Sequence, residues 1–448
     1  MQVDETIFRA YDIRGIYEKQ ITEEFAYKLG RAFATLNKGK IVVGRDGRIG
    51  GNELRNALVK GLLESGADVV DIGIVPTPLV IFSIGYYKYH GGICITASHN
   101  PKEYQGFLLY NKNCLGIGLE NGLKEIKKLI ISEKFDEGSG KLEEKNIIED
   151  YSRFISEKIE VNKINKKVVI DCGNGAASAL LPKILKNFGL QVDSIFCELD
   201  GNFPNRDPEP RVDNLQELQK KVTELKADCG FAYDGDCDRV VGVDEKGRIL
   251  NPTEFFGILV KLYLEKEKGK IVHDALSSTA IDEVTKFYKG LPIGCRVGHV
   301  FIQEKLLKEN ALVGGEISGH YFFRELYGAD DAIFATLKVL EYLETKKIKM
   351  SEACKDIPRY YFNSVRVKTK EEIKFEFIEQ LKKEFLEKGY KINTLDGVKV
   401  FLKEGWALFR ASNTEPKISI AFEAKTKEDF EKLKNFVEKI IDRIKCRQ

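Results

Sequence analysis

Short apolar runs, each closed by a polar turn and followed by residues at helical spacing, recur three times along the chain. Lys40-Ile-Val-Val-Gly44 reads as a strand; Leu54, Ala57, Leu58, Leu62 and Leu63 follow at helical period, Gly66 stops them, and Asp68-Val-Val-Asp-Ile-Gly73 reads as a second strand. The order returns at Lys167-Val-Val-Ile-Asp171, with the turn Cys172-Gly-Asn-Gly175, a helix around Leu180 to Leu185, a stop at Gly189 and a strand from Gln191 to Phe196. A third copy starts at Lys270-Ile-Val-His-Asp274, predicts a helix near Ala280 to Tyr288 and returns as a strand at Ile293 to Val297. Such a unit brings two strands parallel, because only a crossover returns the chain to run in the same direction. Three copies predict three related α/β domains with mixed sheets rather than one long sheet.

The C-terminal part breaks this pattern. A helix over Lys370 to Lys388 carries Ile373, Phe377, Ile378, Leu381 and Phe385 on one face. Strand-like runs follow at Val398 to Lys403, Trp406 to Arg410 and Ile418 to Glu423, and Thr426 with Asp429 caps a final helix. This predicts a small, mostly antiparallel α+β domain. Charged or proline-bearing joints near Glu144 to Glu149, Lys246 to Asn251 and Cys354 to Arg359 set the expected domains at 1–146, 147–248, 249–356 and 357–448.

At 448 residues the chain is too long for one core, which agrees with several domains. Lys plus Arg (71) nearly cancels Asp plus Glu (69), so net charge gives no pointer to nucleic acid, and an anionic partner must be met by local groups. The longest apolar run, Leu79 to Tyr87, is too short to span a membrane. The start, Met1-Gln-Val-Asp-Glu, has neither the basic residues nor the apolar stretch of a signal peptide. Nine cysteines without a Cys-x-x-Cys pair read as neither a disulfide framework nor a zinc site. The expectation is a reduced, cytoplasmic protein.

Four loops carry candidate chemistry. Thr96-Ala-Ser-His-Asn-Pro101 crowds Ser98, His99 and Asn100 directly after the apolar run Ile93-Cys-Ile95. Asp234-Gly-Asp-Cys-Asp-Arg239 sets three carboxylates at alternating positions, where they repel unless a cation or an arginine offsets them. It is not an EF-hand, because the sixth position, which needs glycine, is Arg239. Gly315-Glu-Ile-Ser-Gly-His320 offers Glu316, Ser318 and His320 to hydroxyls. Arg410-Ala-Ser-Asn-Thr-Glu-Pro416 sets a guanidinium beside two hydroxyls and an amide, a combination suited to phosphate. Taken alone, each loop also reads as an ordinary turn. Together they supply a nucleophile, a divalent-cation site, a polyol reader and a phosphate clamp, and they imply a cleft between domains.

In these loops, and in Phe8-Arg-Ala-Tyr-Asp-Ile-Arg-Gly15, Gly44-Arg-Asp-Gly-Arg48 and Arg296-Val-Gly-His299, the chain resembles the α-D-phosphohexomutase family over its whole length. Asn413 and Ile317 resemble its phosphomannomutase/phosphoglucomutase branch. The resemblance implies a four-domain, heart-shaped enzyme that interconverts hexose 1- and 6-phosphates through a phosphoserine and a 1,6-bisphosphate. It implies Ser98 as phosphoryl donor, with His99 and Arg239 beside it, and Mg²⁺ held by Ser98, Asp234, Asp236 and Asp238. Tyr11, Arg14, His299, Glu316, Ser318, His320, Arg410, Ser412, Asn413 and Thr414 would bind the substrate. The expected partners are small sugar phosphates, with hexose 1,6-bisphosphate as activator, in a monomer or homodimer without nucleic acid or membrane.

Two positions depart from the family pattern. Leu108 and Leu276 stand where active-site lysines are expected, and Gln105 replaces a neighbouring asparagine. Loss of a general base typically costs about 10²–10⁴ in rate, which leaves His99 as the expected replacement. It also leaves two alternatives: a mutase for glucosamine or pentose phosphate, or a catalytically impaired sugar-phosphate binder.

Overall fold

The computed structural model describes residues 3–412 and 416–446. Four sheets follow one another along the chain. The first has six strands, in the order Ile13–Ile16, Tyr104–Asn111, Gly91–Ile95, Lys40–Arg45, Asp68–Ile74 and Leu142–Glu144. Lys40–Arg45 is parallel to Asp68–Ile74 and Gly91–Ile95, whereas Tyr104–Asn111 turns back antiparallel and pairs with Ile13–Ile16. The second sheet orders Val240–Asp244, Cys229–Tyr233, Lys167–Asp171 and Gln191–Ile195; the third orders Leu291–Cys295, Lys270–Asp274, Val313–Gly315 and Tyr321–Phe323. Both are mixed, with the crossover pairs parallel and the last hairpin antiparallel. The fourth sheet, Tyr361–Lys368, Lys417–Ala424, Gly405–Ala411, Val398–Phe401 and Lys391–Asn393, is antiparallel throughout. The α/β and α+β units expected from the sequence are therefore present.

One hydrophobic core runs through the first three units, from Val42 and Val80 through Ile170 and Phe231 to Ile271 and Phe334. The fourth unit has its own core around Phe377, Leu381, Phe409 and Val437. It meets the third through a small cluster in which Ala275 and Leu276 pack on Trp406, Leu408 and Ala421. Strand alternation divides the first sheet between two cores: Phe107 and Leu109 point into one, Leu108 and Tyr110 into the other.

Several details differ from the sequence reading. The run Leu79 to Tyr87 belongs to a helix, Thr77–Tyr87, buried on nearly every side, so no amphipathic period marks it. The third return strand lies two residues earlier, at Leu291–Cys295, where an edge position tolerates Pro292. Cys172 and Cys197 form a disulfide, which corrects the fully reduced expectation. The parallel pairing of Asp171 with Ile195 brings the residues just beyond these strand ends together. No helix among the described residues is long and apolar enough to cross a membrane.

Candidate active site

The fully buried strand Gly91–Ile95 delivers the serine loop to its edge. Ser98 has φ 49°, a left-handed conformation that costs an ordinary residue about 1–3 kcal/mol unless its surroundings hold it. They do hold it. Ser98 N–H donates to Thr96 Oγ1 at 2.8 Å, and Arg48 donates to the carbonyls of Ser98 (2.6 Å), Asn100 (2.6 Å) and Pro101 (2.8 Å). Arg48 is itself fixed by Asp46 at 3.2 Å. Arg14, paired with Asp12 at 2.9 Å, donates to Asn100 Oδ1 at 2.8 Å.

The acidic loop turns between the strands Cys229–Tyr233 and Val240–Asp244. Gly235 permits its approach: a Cβ there would lie 2.6 Å from the Ser98 carbonyl oxygen. Ser98 Oγ accordingly reaches Asp234 Oδ2 at 3.2 Å. Asp234 Oδ1 accepts the N–H groups of Asp238 and Arg239, and Asp236 Oδ2 accepts Thr77 Oγ1 at 2.6 Å. Asp236 Oδ1 and Asp238 Oδ1 are buried with no hydrogen-bond partner among the described residues. One oxygen from each of the three acids falls within 4.8 Å of the others. Burial, followed by Asp238 and Asp236, pushes the Asp234 carboxyl well above its ordinary value, and burial with Asp236 raises Asp238 to about 7. Buried, mutually repelling oxygens with open lone pairs are a donor set for a hard divalent cation, and Mg²⁺ fits it.

The sugar-type loop lies between Val313–Gly315 and Tyr321–Phe323 and is joined to the acidic loop by a backbone bridge between His320 and Arg239. Ser318 Oγ donates to Glu316 Oε2 at 2.6 Å, and Arg239 Nε donates to His320 Nε2 at 3.2 Å. Burial alone would raise the Glu316 carboxyl, but His320 and Ser318 hold it down at about 2. Among the described residues Glu316 Oε1 has no hydrogen-bond partner, and it is buried, an acceptor open to a hydroxyl. Tyr11 donates to the Val297 carbonyl at 3.0 Å and sets its ring edge against His299, whose imidazole burial lowers to about 4. His99 Nδ1 lies 3.1 Å from Ser98 Oγ. Burial, then Arg239 and Arg14, keeps this ring neutral far below its ordinary value, so it can orient the serine but is a weak base.

A cavity of about 490 Å³ gathers Tyr11, Arg14, His99, Arg239, His299, Glu316, Ser318 and His320. Arg9 and Asn100 line it too. The motifs contain both residues, but nothing in the sequence separates their roles. Arg410 stands apart, at the end of Gly405–Ala411, 3.6 Å from Asp396, whose carboxylate also receives Val297 N–H from the third unit. Among the described residues its Nε is buried with no hydrogen-bond partner. Ser412 donates its N–H to Lys417; Asn413 and Thr414 lie outside the described residues. Neither leucine lines the cavity. Leu108 sits in the core opposite Cys94, and Leu276 packs on the fourth unit. A second hollow, of about 630 Å³, opens between the third and fourth units around Lys399 and Trp406 and is lined in part by Asp396, the partner of Arg410.

Comparison with known proteins follows the same four units. Models of phosphoglucomutase/phosphomannomutase α/β/α domains I, II and III match residues 5–137, 149–247 and 251–361, and the model of its C-terminal domain matches 365–440. The chain is 37% identical over 440 residues to a phosphoglucomutase/phosphomannomutase of Thermococcus kodakarensis, covering 94% of this chain and 95% of that one. It is 36% identical over 444 residues to a probable phosphoglucosamine mutase of Methanocella arvoryzae, covering 98% of each. A crystal structure of a Burkholderia thailandensis phosphoglucomutase/phosphomannomutase family protein superposes with a TM-score of 0.91 at 30% identity, covering 99% of this chain and 98% of that one. Similarity of this extent leaves none of the four units unmatched, and the chain belongs to the phosphoglucomutase/phosphomannomutase family of α-D-phosphohexomutases.

Proposed function

We propose that the protein is a phosphohexomutase that interconverts hexose 1- and 6-phosphates through phosphorylated Ser98 and a hexose 1,6-bisphosphate. The observation that carries this reading is Ser98 Oγ, held 3.2 Å from Asp234 in a loop whose other two acids each leave a buried oxygen open. When bound there, Mg²⁺ supplies positive charge to the oxygens of the phosphoryl group in transfer. Transfer breaks the Ser98 Oγ–P bond and forms a P–O bond to the free hydroxyl of the substrate. The hydroxyl proton ends on Ser98 Oγ, and His99, 3.1 Å from that atom, is placed to relay it. A loose phosphoryl-transfer transition state asks little of a base, which is compatible with a weakly basic ring and with leucine at 108 and 276. Glu316, Ser318 and His320 read sugar hydroxyls, and Arg410 grips the non-reacting phosphate, whichever end of the sugar carries it.

The test is conversion of glucose 1-phosphate and mannose 1-phosphate to their 6-phosphates, with Mg²⁺ and a trace of the 1,6-bisphosphate. Metal-dependent turnover, with phosphate on the Ser98 peptide by mass, is the expected result; full turnover by Ser98→Ala would sink the mechanism. The match to a probable phosphoglucosamine mutase favours glucosamine phosphate as the second substrate in the panel.

A further inference from the structure

The Cys172–Cys197 disulfide joins two segments of the second unit that reach both arms of the candidate active site. Cys172 opens the turn 172–176, whose far end touches the acidic loop. Ala176 N–H donates to the Gly235 carbonyl at 2.9 Å, and a Cβ at Gly175 would lie 2.6 Å from that same oxygen. Cys197 lies at the start of the segment 196–206, which supports the serine loop. Gly201 forms a backbone bridge with Arg48, and the Phe203 ring lies 5.0 Å from the Arg48 guanidinium. Arg48 is the residue that holds the carbonyls of Ser98, Asn100 and Pro101. At the other end of the segment, Arg206 donates to the Tyr233 carbonyl at 2.6 Å, immediately before the acidic loop.

Apart from the disulfide, the two segments are joined at one residue. Among the described residues, the hydrogen bonds between them all end on Asn174. Its N–H donates to the Phe196 carbonyl at 2.7 Å and its Nδ2 to the Glu198 carbonyl at 2.7 Å. Its carbonyl accepts Asp200 N–H at 3.1 Å, and its Oδ1 accepts Asn205 Nδ2 at 2.9 Å. Asn174 (φ 59°), Phe196 (φ 53°) and Phe203 (φ 49°) all hold left-handed backbone, which bulky side chains keep only where their surroundings impose it. Cys172 is fully buried, whereas Cys197 is half-buried between residues of the same outer segment, so Cys197 is the sulfur open to attack.

We propose that the Cys172–Cys197 disulfide is a redox switch on the phosphoryl-transfer site, opened by a dithiol reductant and closed by exchange with a disulfide oxidant. In opening, a reductant thiolate bonds to Cys197 Sγ while the bond to Cys172 breaks, and Cys172 leaves as a thiolate that takes up a proton. The reductant's second thiol gives up its proton and displaces Cys197, which leaves as a thiolate and is protonated in turn. The reductant departs as a disulfide, and two electrons and two protons have passed to the protein. The segment 196–206 is then tied to the turn through Asn174 alone, and Phe196 and Phe203 can relax from left-handed backbone. That relaxation draws Gly201 and Phe203 off Arg48 and loosens the loop that presents Ser98, so the dithiol form is the less active one. The inference rests on the serine and acidic loops being the reacting centre.

The test uses the full-length chain with Cys446→Ser, which removes an exposed thiol. Metal-free samples are compared oxidised, reduced with dithiothreitol and reoxidised with oxidised glutathione, each desalted and its thiols mapped by alkylation and mass. Reduction is expected to speed amide hydrogen exchange across 196–206 and 96–101 and to weaken Mn²⁺ binding about tenfold, and reoxidation to restore both. Cys197→Ser should stay at the reduced level and ignore dithiothreitol; if it does not fold, the redox cycle of the parent answers alone. Equal exchange at 96–101 in both redox states overturns the proposal, as does a dithiothreitol response that persists in Cys197→Ser. Free Cys172 and Cys197 thiols after oxidised glutathione overturn it as well. Absence of Mn²⁺ binding in either state overturns the metal site instead, and the exchange response then decides the switch by itself.

Discussion

Thr77→Val tests the reasoning about the acidic loop with the least disturbance. Thr77 lies 159 residues from Asp236 in sequence, is buried, and donates its hydroxyl to Asp236 Oδ2 at 2.6 Å. The other hydroxyl near this oxygen, Thr96 Oγ1 at 3.2 Å, lies closer to Asp46, at 2.7 Å, and shares its one proton with it. The backbone bond from Thr77 N–H to the Asp236 carbonyl, 3.0 Å, survives the substitution, so the loop keeps its path while the carboxylate loses the group that aims its open Oδ1. Removing a partner of this kind typically weakens metal binding about 10–100-fold. At about 1.4 kcal/mol per tenfold that is roughly 1.4–2.8 kcal/mol. The assay is Mg²⁺ affinity by competition with Mn²⁺, with thermal unfolding at zero and saturating Mg²⁺ as the control. The metal-free variant should melt below the parent, and Mg²⁺ should widen the gap, because the weaker binder gains less stability from the same free Mg²⁺. Unchanged Mg²⁺ affinity alongside a lowered melting point would show that Thr77 serves packing alone, and the argument from aimed carboxylates would fall.

Three further predictions follow from other contacts. Arg206, nearly buried, holds Asp171 at 2.9 Å and the Tyr233 carbonyl at 2.6 Å beneath the acidic loop; Arg206→Ala strands a buried carboxylate and should cost about 3–5 kcal/mol, read as a lower urea midpoint. Glu316→Gln keeps the shape but replaces a charged acceptor facing the cleft, so kcat/KM for the hexose phosphate should fall about 10–100-fold, the equivalent of roughly 1.5–3 kcal/mol. Burial and Asp236 raise Asp238 to about 7 from an ordinary 3.8, so in the metal-free protein its protonated form favours the folded state at low pH, and that contribution is lost as pH rises through about 7. Bound Mg²⁺ needs the ionised form, so the gain in melting temperature on adding Mg²⁺ should grow between about pH 6 and 8; a gain independent of pH would contradict the raised carboxyl.

What the sequence made legible was whatever is local. The serine, acidic and sugar loops are each continuous stretches of sequence, and the hairpin around Asp234 to Arg239 follows from its two apolar flanks. The crossover units were legible because a period of two gives way to one of 3.6 at a glycine-bearing turn. What escaped depends on distance along the chain. Nothing near Arg48 announces that it holds the Ser98 carbonyl fifty residues on, and nothing near Thr77 points to Asp236. The helix Thr77–Tyr87 escaped because it is apolar all round, and the Cys172–Cys197 pair because only strand pairing brings those residues together.

The leucine at 276 has a physical logic that the cleft alone does not reveal. Trp406, Leu408 and Ala421 alternate with Ala407, Phe409, Ile420 and Phe422, so they form the face of the fourth sheet turned away from its own core. That face needs cover, and Ala275 and Leu276 supply it. Around it, Trp406 Nε1 and Thr279 N–H both donate to Glu423, and Lys399 stacks 3.6 Å over the indole while donating to the Ala275 carbonyl. A lysine at 276 would have to desolvate its ammonium against this surface or swing away and leave it bare. Fully burying a leucine side chain contributes about 1.5–3 kcal/mol, and a partly buried one correspondingly less. A contribution near 1.4 kcal/mol would favour the docked arrangement of the fourth unit about tenfold. Under the proposed mechanism, in which Arg410 of this unit grips the bisphosphate as it turns, a seat of this kind would favour longer retention of the intermediate.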